Sequence, residues 1–274
     1  MTSLRALCVI DQTSCLALSL TLGAAHAQSG AETGYKPTVG QDGKDVVWIP
    51  TPQALVDRML DMAKVTPNDI LVDLGSGDGR TVITAAKRGV SALGIEFNPE
   101  MVALSQAAAK AEGGGDTARF VQGDIFEADF TNATVVTLFL LPELNLRLRP
   151  QLLKMRPGTR LVSNTFDMGD WESDDRVDAG GDCARFCRAY LWIVPANVEG
   201  TWRLPQGQLT LTQNYQMLTG TLTIDGQQTA ISKGRMNGEA ISFVAGGQTI
   251  TGRVRGNTIE FAKGSGPAWG PATR

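Results

Sequence analysis

Histidine is nearly missing from this 274-residue chain: the one imidazole is His26. Cysteine is scarce, with four residues, and aromatic residues make up 6%. Basic residues are not in excess, since 25 Lys and Arg face 28 Asp and Glu for a formal net charge of -3. That balance argues against a nucleic-acid partner, which calls for a basic stripe or surplus. Past the N-terminal region no run of eighteen apolar residues occurs, so no transmembrane helix is expected there.

What is present begins with a distinct N-terminus. Arg5 gives a weak positive start, residues 15–25 are apolar, and Ala25-His26-Ala27 has the small-x-small form of a cleavage site before Gln28-Ser29-Gly30. Residues 1–27 therefore read as a secretory signal peptide, and the protein as exported, in a periplasm. Asp11 interrupts the apolar region, and the alternative is an apolar N-terminal helix on a cytoplasmic protein. Removal of 1–27 takes Cys8, Cys15 and His26 away. No histidine then remains for a Ser-His-Asp triad, a general base or a metal site, and no metal is expected. Cys183 and Cys187 stay, as a C-x-x-x-C pair in a glycine-rich loop. In an oxidising compartment they read as a short disulfide, and in the cytoplasm as two free thiols.

Residues 28–45, rich in Gly, Thr, Gln and Asp, read as a flexible leader. Thr51 is placed to cap a helix with Pro52 at its first position, and Leu55, Met59, Leu60 and Met62 follow at helical spacing. Then strands and helices alternate. Strands are expected at Ile70–Leu74, Ser91–Glu96, Ala118–Val121, Thr134–Leu141, Arg160–Asn164 and Arg188–Val194. Helices are expected at Arg80–Arg88, Pro99–Glu112 and Pro142–Met155, the last with Pro150 as a kink or break. This alternation implies an α/β domain with a parallel, doubly wound sheet, at 46–197. From 198 to 274 short strand-like runs are punctuated by Asp225-Gly226, Asn237-Gly238, Gly246-Gly247 and Gly256-Asn257, which indicates a small antiparallel all-β domain, a sandwich or barrel.

The sharpest motif is Val72-Asp73-Leu74-Gly75-Ser76-Gly77-Asp78-Gly79-Arg80. An apolar strand runs into glycines at alternate positions, and a helix follows. Residues without a Cβ let the backbone turn tightly and lie against a ligand, and the helix start offers free N–H groups. A dinucleotide site wants its third glycine three residues after the second, where this chain has Arg80. Asp73, two residues before the first glycine, suits a cationic amino group and repels a pyrophosphate. Glu96 ends the second strand, where an acid accepts from ribose hydroxyls. Asp124 follows the third strand, where an acid accepts from an adenine amino group, with Ile125 or Phe126 against the ring. Each alone is an ordinary turn carboxylate. Together they stand at successive strand ends, where open α/β sheets bind ligands.

These residues resemble the class I S-adenosylmethionine-dependent methyltransferases. Ile49-Pro50-Thr51-Pro52, the glycine motif, GIEFNP at 94–99, LFLLPELN at 138–145 and PGTRLVSNTF at 157–166 are similar to protein-lysine methyltransferases related to those acting on the ATP synthase c-ring protein and the adenine nucleotide translocase. The resemblance covers about 46–195 and implies a Rossmann-like methyltransferase sheet. It implies S-adenosyl-L-methionine as cofactor, held by Thr51, Asp73, Gly75, Ser76, Gly77, Gly79, Glu96, Asn98, Asp124 and Ile125. It implies methyl transfer to a lysine ε-amino group of a protein, with membrane-associated proteins among the candidate targets. Glu143 or Asn145 would orient the amine, with Pro142, Asn164 and Phe166 at the substrate and Thr165 and Trp171 as further wall. Glu143 also reads as a helix-start acid, and Trp171 as core or a contact between domains. The alternatives are methyl transfer to a small molecule, or a non-catalytic adenosyl-ligand binder working through its β domain.

Overall fold

Leu71 and Val72 are neighbours in sequence but are buried in two different apolar layers. A strand covered on both faces does this, because successive side chains point to opposite sides. The computed structural model describes residues 34–114, 116–181, 183–263 and 270–274. The expected signal peptide, with Cys8, Cys15 and His26, and the first residues of the expected leader lie outside the described residues.

In chain order the first region comprises α1 (Gln53–Met62), β1 (Ile70–Leu74), α2 (Arg80–Lys87), β2 (Ser91–Glu96), α3 (Pro99–Ala111), β3 (Ala118–Gln122), β4 (Val135–Leu138), α4 (Pro142–Leu152), β5 (Arg160–Asn164), β6 (Asp175–Asp178) and β7 (Arg188–Ile193). The seven strands form one sheet in the order β3-β2-β1-β4-β5-β7-β6. The pairs from β3 to β5 are parallel. Chain direction across the sheet reverses beside β1, which has β2 on one side and β4 on the other. A crevice opens at such a switch point, outside the carboxyl ends of the strands. Leu55 and Leu60 of α1, Val82 of α2 and Val102 of α3 fill the layer on one face. Leu148 and Leu152 of α4 share the other layer with Met155, Trp171 and Trp192.

Four details differ from the sequence reading. The sheet is mixed, because β7 runs antiparallel to both β5 and β6. A parallel return needs a crossover of a dozen residues or more, usually helical. The described residues of 165–187 hold no helix, so β7 comes back as a hairpin partner of β6. β6 itself, Asp-Arg-Val-Asp, is too short and polar to carry a strand signal. Third, β4 stops at Leu138, which releases Phe139, Leu140 and Leu141 from the sheet. Last, α1 starts at Gln53 after Pro52 and has no side-chain cap; the Thr51 hydroxyl instead accepts from Asn164 Nδ2 at 3.2 Å. Pro150 is accommodated inside α4, which ends two residues later.

The second region is antiparallel throughout: β8 (Gly200–Leu204), β9 (Gly207–Asn214), β10 (Met217–Ile224), β11 (Gln227–Ala230), β12 (Ser232–Asn237), β13 (Ala240–Ala245), β14 (Gln248–Arg255), β15 (Thr258–Phe261) and β16 (Ala272–Thr273). The ladder closes on itself because β9 pairs with both β8 and β10, which makes a barrel. Among the described residues, closure leaves only the short β11, paired with β10 alone, as an edge, where an open sheet would expose two. Trp202, Leu209, Met236, Phe243 and Ile259 alternate inward and fill it. The barrel meets the sheet through Trp171, which is fully buried, stacks on Tyr215 and donates from its indole to Gln216 Oε1 at 3.0 Å. Arg235 pairs with Asp174 at 2.6 Å beside it. Trp171 is therefore a contact between the two regions.

Candidate active site

Asp73 is the first charged residue to place, since it sits on a buried strand and is only 7% exposed. Burial pushes its carboxyl up to about 7, against a hydrogen bond from Thr137 at 2.6 Å that favours the anion; Glu96 and Asp78 add to the rise. A buried acid poised near neutrality beside a crevice is a common mark of a functional site. It needs a positive ligand group to stay ionised cheaply.

After Asp73 the backbone turns through Gly75, Gly77 and Gly79, all at positive φ. Two of these positions require glycine. A Cβ on Gly77 would stand 2.6 Å from Trp48 Nε1, and one on Gly79 would stand 2.7 Å from the Phe120 ring. The loop is tied to β2: the Gly75 and Ser76 amides donate to Ile95 O at 2.9 and 3.1 Å. The Gly77 amide donates to Glu96 Oε2 at 2.9 Å, and Asn98 N donates to Oε1 at 2.9 Å. Glu96 is thus fixed by backbone while each oxygen keeps a further lone pair. Asn98 caps α3 by accepting from Glu100 N at 2.9 Å. Asp124 accepts from Phe126 N at 2.9 Å and is paired with Lys44, whose ammonium holds the carboxyl below the usual carboxylate range.

A cavity of about 400 Å³ opens over these strand ends, within the usual range for small-molecule sites. Its wall takes in Asp73, the loop from Gly75 to Asp78, Glu96, Asn98, Asp124, Ile125 and Thr51. Gly79 of the expected set lies behind, at the N-cap of α2. The residues expected at the acceptor divide. Phe166 lines the cavity, whereas Pro142, Glu143, Asn145 and Asn164 are not in its wall. Glu143 is exposed at the start of α4. Asn145 is fully buried, and its Nδ2 reaches Phe166 O at 3.2 Å and Asp167 O at 3.1 Å. It braces the loop that presents Phe166. Asn164 does the same for Thr51.

Three contributors went unread in the sequence. Residues 41–49, mostly taken for leader, fold over the crevice: Gly40 N donates to Trp48 O and Trp48 N to Gln41 O, both at 2.8 Å, and Lys44 lies 4.9 Å over the Phe97 ring. Phe139 is the first residue beyond β4, and Phe186 comes from the 183–187 loop, which a disulfide between Cys183 and Cys187 closes. Glycine and aspartate at 40–45 gave no sign of a wall. Among the described residues no group of three or more His, Cys, Asp or Glu is arranged to hold a metal ion.

The chain is similar to known proteins. The family model for the ANTKMT methyltransferase domain matches residues 73–175. A protein-lysine N-methyltransferase of Saccharolobus islandicus is 46% identical over 135 residues, 48% of this chain and 84% of that protein. The adenine nucleotide translocase lysine N-methyltransferase of Mus musculus is 32% identical over 129 residues, 46% of this chain and 56% of that protein. Among solved structures, an RNA methyltransferase from Salinibacter ruber in complex with S-adenosyl-L-homocysteine is 47% identical, with a TM-score of 0.51, and the match covers 55% of this chain and 96% of that one.

Proposed function

This chain belongs to the family of S-adenosylmethionine-dependent methyltransferases that includes the protein-lysine N-methyltransferases, and on that premise we propose that it methylates a lysine ε-amino group of a protein. One observation carries the reading: a single cavity joins an acid-flanked glycine loop to an apolar wall of Leu138, Leu140, Leu141, Leu144 and phenylalanines.

The acids present fit the cofactor. Leu140 and Trp48 pack against the bare backbone of Gly75 and Gly77, where a Cβ would stand 3.2 and 2.6 Å from them, so the loop lies close under the cavity floor. Asp73 would hold the methionine ammonium, Glu96 the ribose hydroxyls, and Asp124 with Ile125 the adenine. Pyrophosphate would meet Asp73 as a like charge. When bound, S-adenosylmethionine supplies a methyl group on a sulfonium, already a strong electrophile. What remains for the protein is to position the acceptor and strip its water. Desolvation against an apolar wall lowers the pKa of an amine that has entered as an ammonium, so it sheds its proton to water before transfer without a strong base.

Exposed Val47, Phe97 and Leu141 stand at the cavity wall and favour an apolar or membrane-associated acceptor protein. The Cys183–Cys187 disulfide favours an oxidising compartment, hence export. The mature N-terminus, read by mass spectrometry, tests export: a chain beginning near Gln28 supports it and an intact Met1 removes it. The Salinibacter ruber relative raises RNA as a second acceptor. Incubating the protein with methyl-tritiated cofactor and separate protein, RNA and metabolite fractions decides between them. Label that stays with protein and appears in methyl-lysine after hydrolysis supports the proposal. Label confined to RNA or to small molecules overturns it.

A further inference from the structure

Phe139, Phe166 and Phe186 come from three separate segments and meet at the cavity. Their ring centroids are 5.3 Å apart for Phe139 and Phe186, 6.3 Å for Phe139 and Phe166, and 6.4 Å for Phe166 and Phe186. The planes are inclined by 60°, 25° and 52° in the same order, so the rings do not form one flat stack. Each is half-buried, with part of its surface free to the cavity. One cation seated over this triangle lies within cation–π reach, about 6 Å, of all three rings.

The holding of Phe186 is unusual. Its φ is +54°, a left-handed conformation that bulky residues avoid. The Cys183–Cys187 disulfide closes a five-residue loop around it, and the loop is anchored by Ala179 N donating to Cys187 O at 2.7 Å. Next to it, Thr165 N donates to Arg188 O at 2.7 Å, which ties the Phe166 segment to the same strand start. Asn145 braces Phe166 from behind. Such bracing of a strained aromatic residue serves no obvious packing need, since the rings stay partly open.

We propose that Phe139, Phe166 and Phe186 form an aromatic collar that selects the alkylammonium end of the acceptor side chain, and that the Cys183–Cys187 disulfide positions its third ring. The collar extends the lysine-methyltransferase reading of this site and rests on it. Phenylalanine offers no hydrogen-bond acceptor, so the collar discriminates by charge over a π face and by shape. Reduction by a dithiol opens the loop: the two sulfurs become thiols, and the reductant leaves as its own cyclic disulfide. Phe186 is then free to relax out of its strained conformation.

The test uses the full chain with its disulfide intact, saturated with S-adenosylhomocysteine. Nε-trimethyllysine amide and its neutral carbon isostere are titrated by ligand-observed NMR. The collar predicts that the cation binds more tightly by about 5-fold or more. Phe186→Leu and Phe139→Leu each erase most of that preference, while Phe186→Trp keeps it and S-adenosylhomocysteine affinity stays the same. Dithiothreitol weakens the preference in the native chain and leaves a Cys183→Ser/Cys187→Ser chain, already weakened, where it was. Equal binding of the two probes to the native chain, or binding of neither, overturns the proposal without needing any variant. Unchanged preference in the leucine variants overturns it too, and an effect of the leucine variants without one of reduction removes the disulfide's part. Loss of the lysine reading shows separately, as native protein that transfers no label to polypeptide.

Discussion

The two ends of the cavity are built in opposite ways. The end over the glycine loop is polar and mostly local: Asp73, Gly77 and Glu96 lie within 24 residues, Glu96 accepts from the amides of Gly77 and Asn98, and the Thr137 hydroxyl on Asp73 comes from farther off, on β4. The other end is apolar and assembled from distance, with Phe139 after β4, Phe166 after β5 and Phe186 in a disulfide loop. The difference teaches where rigidity comes from. A cofactor common to many enzymes is held by a compact unit. The apolar wall, where we propose that the acceptor enters, is set by loops, which vary without disturbing the sheet.

Substitutions at each end test whether the division is real. The largest effect belongs to Asp73→Ala, which should weaken S-adenosylhomocysteine binding by roughly 100-fold in calorimetry, as loss of a charged hydrogen-bonded partner does. Glu96→Gln keeps the shape and loses the charge, and should cost about 10-fold. Acidity gives a sharper signature. With Asp73 raised to about 7 in the free protein, the anion that a ligand ammonium needs is lost as pH falls below 7. Affinity should therefore drop by up to about tenfold per pH unit from 7 towards 5, and Asp73→Asn should flatten that slope.

The same shift has a consequence of opposite sign for stability. A carboxyl whose folded value lies above its unfolded 3.8 makes the free protein less stable as pH rises from about 4 to 7. Asp73→Asn should then melt at a higher temperature than the native chain at pH 8 while binding cofactor worse, and an unchanged or lower melting temperature would count against a strained acid. Away from the cavity, Trp171→Phe orphans Gln216 Oε1 at the barrel contact and should cost roughly 1–3 kcal/mol in denaturant unfolding, leaving cofactor affinity alone. The smallest effect is Lys44→Met: its ion pair with Asp124 is partly exposed, and cofactor affinity should move by no more than about 3-fold.

What was legible in the sequence follows from the same contrast. Strand–glycine–helix patterns are local, so β1, α2, β2 and α3 were readable nearly to the residue, and so were Asp73, Glu96 and Asp124 as strand-end acids. The second region was legible from its turn dipeptides as antiparallel all-β, with the choice between sandwich and barrel left open. Non-local features were not. Asn145 reads as an amide near an acceptor, but its carbonyl partners, Phe166 and Asp167, arrive from 21 and 22 residues away and turn it inward. The antiparallel β7 depends on the lack of a crossover helix, and the roof at 41–49 depends on contacts with Gly77 and Phe97 that no composition of Gly and Asp announces.

The central claim is that one cavity carries two independent halves, and a matched pair of variants tests it most directly. Asp73→Ala and Phe166→Leu are compared with the native chain for S-adenosylhomocysteine dissociation constant and for acceptor KM in label transfer to protein at saturating cofactor. Two halves predict that Asp73→Ala moves the dissociation constant alone and Phe166→Leu moves acceptor KM alone. Both constants shifting together in either variant would contradict it.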